Sequence, residues 1–332
     1  MLYNVPYSSF LGGGALYKVF IDGKAGTTGL RIYDRLLERK DIVLMTLPEE
    51  KRKDPAFRSE MINSSDISFL CLPDAAARES VSLAKSDSVR IIDTSTAHRT
   101  EPGWAYGFPE LSYEHREKIK NGSRIAVPGC HASGFIVSVY PLVKSGVIDK
   151  DYPLSCFSLT GYSGGGKKMI AEYEEEGRDA LLKSPRQYAT AQMHKHLKEM
   201  QHITGIASAP IFSPVVADYY SGMEVTLPLF PSMFKKKCSA KDIADIYNEY
   251  YGKSNMIICG GYDEENKFVA AGELSGYDDM LLTVRGNDDR IIVTAVYDNL
   301  GKGASGAALQ CMNIMLGIDE TEGLNLSPRS TV

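Results

Sequence analysis

The strongest constraint on the fold of this 332-residue chain is a β-rich run that leads directly into a glycine-rich segment. Residues 17–22 favour a strand, and apolar residues recur at helical spacing over residues 30–37. Between them lie Gly23, Gly26 and Gly29, which permit a tight turn and close backbone approach to a ligand. This is the beginning of a βαβ unit, whose helix N-terminus offers free N–H groups to a pyrophosphate.

The glycine turn is a candidate dinucleotide-binding site. Thr27 and Thr28 lie at its end and add hydroxyl donors. The GxxGxxG spacing differs from the GxGxxG of many NAD enzymes, so the alternative is a βα turn without a ligand. The flanking strand and helix favour binding, with Gly23, Gly26, Thr27, Thr28 and Gly29 as the candidate residues.

A second predicted strand, residues 42–47, bears on the choice of dinucleotide. No acidic residue ends it in the position that would bind a ribose 2′-hydroxyl. Lys51 and Arg52 lie in a basic cluster just beyond, which favours a 2′-phosphate and therefore NADP over NAD. The alternative is a solvated charged loop.

Two further strands, residues 67–72 and 90–93, continue the alternation of strands and helices. Repeated βαβ units predict a parallel sheet with helices on both faces and ligands at the carboxyl ends of its strands. Cys71, Pro73 and residues 94–99 lie at two such ends. Cys71 is expected to pack as a small apolar residue without reacting.

The overall composition excludes several classes of protein. Hydrophobic residues make up 43% and the net charge is −5, which is ordinary for a globular chain and gives no attraction to nucleic acid or anionic membranes. The sequence contains no run of 18 apolar residues, the length needed to span a membrane. The six cysteines include no CxxC pair, so we expect no metal site and mostly reduced thiols in a cytoplasmic protein.

Cys130 is the candidate nucleophile. It follows a short predicted strand, residues 125–127, and precedes an apolar helical run over residues 135–142. A helix N-terminus stabilises a thiolate, and Ser133 with the free N–H groups can receive an oxyanion. The side chain of the adjacent His131 is expected to point elsewhere. The alternative is a capping cysteine without chemistry.

A partner base is predicted in residues 192–200. If this segment is helical, His196 and Glu199 share a face and His194 points elsewhere. A histidine beside a cysteine activates the thiol and moves protons. The alternative is an exposed, solvated helical turn.

These motifs occur with several others in one order along the chain, at residues 23–29, 95–99, 107–111, 128–130, 161–167, 194–196 and 298–306. From about residue 17 to 316 the chain resembles the short-form N-acetyl-γ-glutamyl-phosphate reductases of arginine biosynthesis. The wider superfamily includes aspartate-semialdehyde dehydrogenase. The segment at residues 22–30 is the specific part of the match, whereas the one at residues 302–306 is shared with relatives.

The resemblance implies an α/β fold with a Rossmann NADP-binding domain and an α+β catalytic and dimerisation domain on a mixed sheet. The first domain would comprise residues 17–130 and 303–332, closed by a returning C-terminal helix, and the second residues 131–302. Residues 1–16 would be a leader or an expression remnant. A homodimer or homotetramer is expected.

The resemblance also implies a reaction, the NADPH-dependent reductive dephosphorylation of N-acetyl-γ-glutamyl phosphate through a thioester on Cys130. His196, preferred to His194, would be the base, and Arg99 would hold the acyl phosphate, with Glu199 and Ser133 in the substrate site. Further cofactor contacts would come from Ser95, Ser163, Gly164, Gly165 and Asn299, beside Cys71 and Pro73. The alternatives are an aspartate-semialdehyde dehydrogenase, a related acyl-phosphate reductase, including one acting on a carrier-bound substrate, or a non-catalytic NADP-binding regulator.

Overall fold

The computed structural model describes residues 16–24, 26–265 and 268–328. Apart from Leu16, the expected leader at residues 1–16 lies outside the described residues. Within these ranges, no helix combines the length and apolar character needed to cross a membrane.

The first half of the chain forms a parallel six-stranded sheet, which confirms the predicted Rossmann-type architecture. Its strands lie in the order β2-β1-β3-β4-β6-β5. They are β1 (Tyr17–Asp22), β2 (Ile42–Met45), β3 (Ile67–Leu70), β4 (Ile91–Asp93), β5 (Ala105–Tyr106) and β6 (Arg124–Ala126). The helices among them are α1 (Thr27–Leu37), α2 (Pro55–Ser64), α3 (Asp74–Ser82) and α4 (Tyr113–Asn121).

The second half forms a mixed seven-stranded sheet, as predicted. Its strands, in chain order, are β7 (Ser155–Gly161), β8 (Arg186–Gln187), β9 (Ile211–Ala217), β10 (Met223–Leu229), β11 (Ile257–Tyr262), β12 (Met280–Asn287) and β13 (Arg290–Tyr297). Across the sheet, neighbouring strands follow the order β11-β12-β13-β10-β7-β9-β8. The β7–β9 and β11–β12 pairs are parallel and the other pairs are antiparallel. The helices from residue 130 onward are α5 (Cys130–Lys144), α6 (Gly166–Glu174), α7 (His196–Thr204), α8 (Ala240–Tyr251) and α9 (Gly306–Leu316).

Two of the predicted strands are shorter in the structure. The last residue of β2, Met45, pairs with Phe20, and the last residue of β3, Leu70, pairs with Asp22 at the end of β1. No further residue pair to β1 follows these positions, although the N–H of Cys71 still donates to the Asp22 carbonyl (2.8 Å), so both strands end two residues earlier than the apolar pattern predicts.

Helix α5 is the central element of the second half and fixes the position of Cys130 at its N-terminus. It packs so closely on β10 that a Cβ at Gly134 would lie 2.6 Å from a side-chain carbon of Val225. Tyr297 of β13 donates a hydrogen bond to the carbonyl of Cys130 (2.5 Å) and accepts one from the N–H of Gly134 (3.0 Å). The first turn of α5 is thereby held against the mixed sheet.

The C-terminal helix α9 packs with the parallel sheet. Its side chains Leu309 and Met312 belong to the same buried cluster as Val19 and Phe69 of that sheet. A π-helical turn, Gly301–Ser305, leads into α9, and such turns are frequent at functional sites. The packing supports the expectation of a returning helix, while the exact division of the chain at residues 130 and 302 stays a prediction.

A fully buried lysine joins the π-helical turn to the first half of the chain. The Lys302 ammonium donates hydrogen bonds to Glu110 (2.7 Å) and to Gln310 of α9 (2.6 Å). Gln310 in turn donates to the same Glu110 oxygen (2.7 Å). Since both charges are buried, each needs the other in order to remain ionised at low cost.

We expect Lys302→Met to lower the free energy of unfolding by about 3 kcal/mol, because it leaves the Glu110 carboxylate buried without its counter-ion. Urea denaturation measures the change. Lys118→Met, which removes an exposed lysine paired with Glu114 on α4, is the matched control and should change stability little. Equal stability of the Lys302→Met variant and the native chain would contradict the assigned role.

Candidate active site

A cavity of about 430 Å³ opens where the carboxyl ends of the parallel strands face the N-terminus of α5 and the mixed sheet. Fifteen of the predicted site residues line it, namely Gly26, Thr27, Thr28, Gly29, Cys71, Pro73, Ser95, Arg99, Cys130, Ser163, Gly164, Gly165, His194, His196 and Asn299. The other five, Gly23, Lys51, Arg52, Ser133 and Glu199, lie outside its lining.

The glycine turn fits a dinucleotide phosphate. Gly23 has a φ of +89°, and a Cβ there would lie 2.3 Å from the carbonyl oxygen of Cys71, so only glycine is accommodated. The hydroxyl of Thr27, at the first position of α1, is buried without a hydrogen-bond partner and lines the cavity. An unpartnered hydroxyl at a helix N-terminus is the donor that a phosphate oxygen requires.

The two basic residues predicted to contact a 2′-phosphate have other neighbours. The Lys51 ammonium lies 4.5 Å from the centre of the Phe57 ring, and Arg52 pairs with Glu49 at 2.9 Å. Their part in cofactor choice stays a prediction.

The opposite wall of the cavity is a loop held by Asn299. This side chain donates to the hydroxyl of Ser163 (3.0 Å) and accepts from the N–H of Gly222 (2.9 Å). The loop reaches the glycine turn at Gly166, where a Cβ would lie 4.0 Å from the Thr27 hydroxyl. The predicted cofactor residues of the two halves therefore face each other across the cavity.

Cysteine 130 stands at the N-terminus of α5 beside His196 and Arg99. A Cβ at the preceding Gly129 would lie 2.4 Å from both His196 Nε2 and Arg99 Nη1. Only the absence of a side chain at Gly129 lets the imidazole and the guanidinium come this close to the nucleophile. The structure thus brings His196 and Arg99 together beside Gly129, and their roles as base and phosphate-binding residue stay predictions.

Protonation at this site is set mainly by burial. Burial raises the pKa of the Cys130 thiol, an effect that Arg99, the His131 N–H and Lys195 partly offset. Burial, followed by the nearby Arg99 charge, holds the pKa of His196 well below its ordinary value. The resting pair is therefore a thiol beside a neutral imidazole, and the imidazole can accept the proton of the thiol.

Glu199 holds this arrangement from outside the cavity lining. Its carboxylate accepts hydrogen bonds from Arg99 (2.9 Å), the Tyr106 hydroxyl (2.7 Å) and the N–H of Gly129 (2.7 Å). The predicted face shared with His196 exists, since both residues point from α7 toward the N-terminus of α5. All the contacts of Glu199 are internal, so we assign it as a positioning residue.

The expected orientation of His194 was wrong. Helix α7 begins at His196, not at residue 192, so His194 lies in the preceding loop and is not rotated away on the helix. Its ring centre is 4.6 Å from that of His196, and its Nδ1 accepts the N–H of His196 (3.2 Å). Burial is the main cause of its lowered pKa of about 4.

His131 was also expected to point away, but it lines the same cavity. Its two ring nitrogens contact the hydroxyls of Ser158 (2.7 Å) and Tyr188 (2.6 Å), and burial lowers its pKa to about 3. Nothing local in the sequence connects Tyr188 to Cys130, so this residue was missed. Ser133 instead donates its hydroxyl to the Gly129 carbonyl (3.2 Å), away from the cavity.

Comparison with known proteins shows which families share this architecture. Residues 18–121 match the semialdehyde dehydrogenase NAD binding domain, and residues 130–299 match the semialdehyde dehydrogenase dimerisation domain. Aspartate semialdehyde dehydrogenase II of Vibrio cholerae complexed with ASA superposes with a TM-score of 0.69 at 18% identity, covering 92% of this chain and 99% of that one. Aspartate semialdehyde dehydrogenase of Candida albicans with NADP superposes with a TM-score of 0.63 at 15% identity, covering 91% of this chain and 99% of that one.

The fold and the paired domains define a protein of the semialdehyde dehydrogenase class. N-acetyl-gamma-glutamyl-phosphate reductase 2 of Nostoc sp. is 42% identical over 92% of this chain and 99% of its own length. The reductases of Chelativorans sp. and Brucella ovis are 44% and 43% identical over 90% of this chain, and 98% and 99% of theirs. The chain belongs to the N-acetyl-gamma-glutamyl-phosphate reductase family.

The buried neutral histidines make stability depend on pH. In the unfolded chain an imidazole binds a proton below pH of about 6.5, whereas folded His131 stays neutral down to a pKa of about 3. Below the unfolded value the unfolded state binds the extra proton, so stability falls as pH falls. The loss is about 1.4 kcal/mol per pH unit for this residue.

We therefore expect His131→Asn to flatten the decrease in unfolding free energy between pH 7 and pH 5.5, as measured by urea denaturation. His202→Asn, which removes an exposed histidine from α7, should keep the native pH dependence. The same slope in all three proteins would show that His131 is not held neutral.

Proposed function

We propose that this protein catalyses the NADPH-dependent reductive dephosphorylation of N-acetyl-γ-glutamyl phosphate, giving N-acetylglutamate semialdehyde and phosphate. The observation that carries the proposal is the thiol of Cys130 at a helix N-terminus, with His196 and Arg99 packed over Gly129 in the same cavity as the glycine turn. The names of the curated relatives support this substrate.

The residues present fit a bound NADP. The glycine turn and the Thr27 hydroxyl would hold its phosphates at the N-terminus of α1, and Ser163 and Asn299 would border its reactive end. When bound, the dinucleotide supplies the hydride that reduces the thioester. The preference for NADP over NAD rests on Lys51 and Arg52 beyond β2.

The first half of the reaction uses the chain's own groups. His196 takes the proton of the Cys130 thiol, and the resulting thiolate attacks the acyl carbon. A carbon–sulfur bond forms, the bond from carbon to the bridging oxygen breaks, and phosphate leaves with that electron pair. The imidazolium and Arg99 stabilise the charge as it develops.

The second half returns the enzyme to its resting state. After reduction, the oxyanion on the carbon bound to Cys130 is stabilised by N–H groups at the start of α5 and by protonated His196. Collapse of this adduct reforms the carbonyl and breaks the carbon–sulfur bond, which releases the aldehyde. The thiolate then recovers the proton from His196.

The protein is proposed to act as a cytoplasmic homodimer or homotetramer. The second half matches a dimerisation domain. The strand register places Phe157, Ile211 and Ile292, all exposed, on one face of the mixed sheet. Such a face is suited to burial against a second copy.

We predict that Cys130→Ser lowers kcat by about a thousandfold or more, because serine is not a thiolate nucleophile. NADPH affinity, measured by fluorescence titration, should stay unchanged. Cys238→Ser, a half-buried cysteine outside the cavity, is the matched control and should retain turnover. Activity retained in Cys130→Ser would exclude covalent catalysis at this residue.

The substrate assignment is tested in the reverse direction with phosphate, NADP⁺ and one aldehyde at a time. N-acetylglutamate semialdehyde should give turnover and aspartate semialdehyde little. The opposite preference would identify an aspartate-semialdehyde dehydrogenase. No turnover with either aldehyde, together with intact NADPH binding, would favour a non-catalytic binding protein.

A further inference from the structure

The charges of the cavity do not match those of the proposed substrate. An acyl phosphate with a free carboxylate is strongly anionic, whereas Arg99 and Lys195 are the only lysine or arginine side chains among the described residues that line the cavity. Arg99 is already compensated, because Glu199 accepts its Nη1–H at 2.9 Å. Its Nε and Nη2 donate to the carbonyls of Val127 (2.9 Å) and Thr94 (3.2 Å).

Lys195 is the cation without a close ion-pair partner among the described residues. Within the part of the chain that the structure describes, its ammonium makes no ion pair and no side-chain hydrogen bond, and the residue is exposed. It directly precedes the first turn of α7, which adds the positive end of a helix dipole to the same side of the cavity. The next residue is His196, whose Nδ1 is buried without a partner.

Lys195 lines the same cavity as Cys130, the residue that the acyl phosphate must reach. The acyl carbon attacked by Cys130 carries the phosphoryl group through a single bridging oxygen, whereas the substrate carboxylate lies at the far end of a short carbon chain. Lys195, Arg99, Cys130 and Asp74 all line this one cavity. The charges of both cations lower the pKa of Cys130 and of Asp74, in keeping with that placement.

We propose that Lys195 binds the phosphoryl group of the acyl phosphate in the forward reaction and inorganic phosphate in the reverse reaction. This inference rests on the proposed function and adds the residue that recognises its leaving group. As the carbon–oxygen bond breaks, the electron pair passes to the phosphate, and the Lys195 ammonium pairs with the added charge. Arg99, held by Glu199, lines the same cavity.

The carboxylate of Asp74 also lines the cavity, but it has its own donors. It accepts the N–H (3.0 Å) and the hydroxyl (2.5 Å) of Thr96. Lys195 therefore remains available to an incoming anion.

The test compares Lys195→Met, which removes the charge, with Lys195→Arg, which keeps it. Lys198→Met removes an exposed lysine of α7 outside the cavity lining and is the matched control. In the reverse assay, Lys195→Met should raise KM for inorganic phosphate about tenfold or more, as loss of a charge-assisted hydrogen bond predicts. KM for the aldehyde should change less than twofold, and Lys195→Arg should recover most of the phosphate affinity.

A rise in KM for the aldehyde with an unchanged KM for phosphate would overturn the proposal and assign Lys195 to the substrate carboxylate. Unchanged constants in Lys195→Met would also overturn it.

A second measurement does not depend on the substrate. Inorganic phosphate should slow the alkylation of Cys130 by iodoacetamide in the native protein and in Lys198→Met, but not in Lys195→Met. If the native protein turns over no aldehyde but shows this protection, the proposed function fails and the anion site stands. Equal protection in the native protein, Lys198→Met and Lys195→Met would show that Lys195 does not form an anion site.

Discussion

The geometry around the nucleophile depends on one buried carboxylate. Glu199 of α7 is bonded at once to the cation Arg99, to the hydroxyl of Tyr106 on β5 and to the N–H of Gly129 before α5. An ionised carboxylate is costly to bury without such donors, so these groups are held in one arrangement. As a result, the Arg99 guanidinium and the His196 imidazole lie in fixed positions against the Gly129 backbone. Any displacement of α7 would move the base and the cation together.

The site achieves reactivity with few net charges. Three imidazoles, those of His131, His194 and His196, lie close together, and burial keeps each of them neutral. Neutral rings are cheaper to bury than cations and remain able to accept a proton. Full positive charge is left to Arg99, which Glu199 compensates, and to Lys195, which has no ion-pair partner among the described residues. The positive charges of these two side chains therefore lie in the cavity, where the negative charge of an anionic substrate would neutralise them.

The sequence predicts the architecture well because periodicity and glycine placement are local properties. The strand at residues 17–22, the glycine turn and the sheet types agree with the structure. Strand ends are less predictable, since the last residue pairs with β1 are Met45 with Phe20 and Leu70 with Asp22, although apolar residues continue beyond both strands. Chain order alone cannot reveal those pairings.

The residues of the site divide in the same way, into those that local sequence could predict and those that only tertiary contacts bring to the cavity. Cys130 could be found from its strand–turn–helix context, and His196 from residue type and spacing. His194 was misjudged because α7 begins later than its pattern suggests. His131 was misjudged because its neighbour Cys130 was expected to take the cavity alone, whereas the His131 ring packs against His194 and His196. Tyr188 lies far from Cys130 in sequence and reaches the site only through tertiary packing with His131. Gly129 looks like an ordinary turn residue until the atoms above it are known.

The return of α9 to the parallel sheet also has a consequence for the order of folding. Leu309 and Met312 complete a core whose other members, among them Val19 and Phe69, are made near the start of synthesis. The core of the dinucleotide-binding half therefore stays partly uncovered until α9 has been synthesised. The second half, whose strands and covering helices are contiguous in sequence, can fold before it. Because both halves line the cavity, it can be completed only after α9 has taken its place on the parallel sheet.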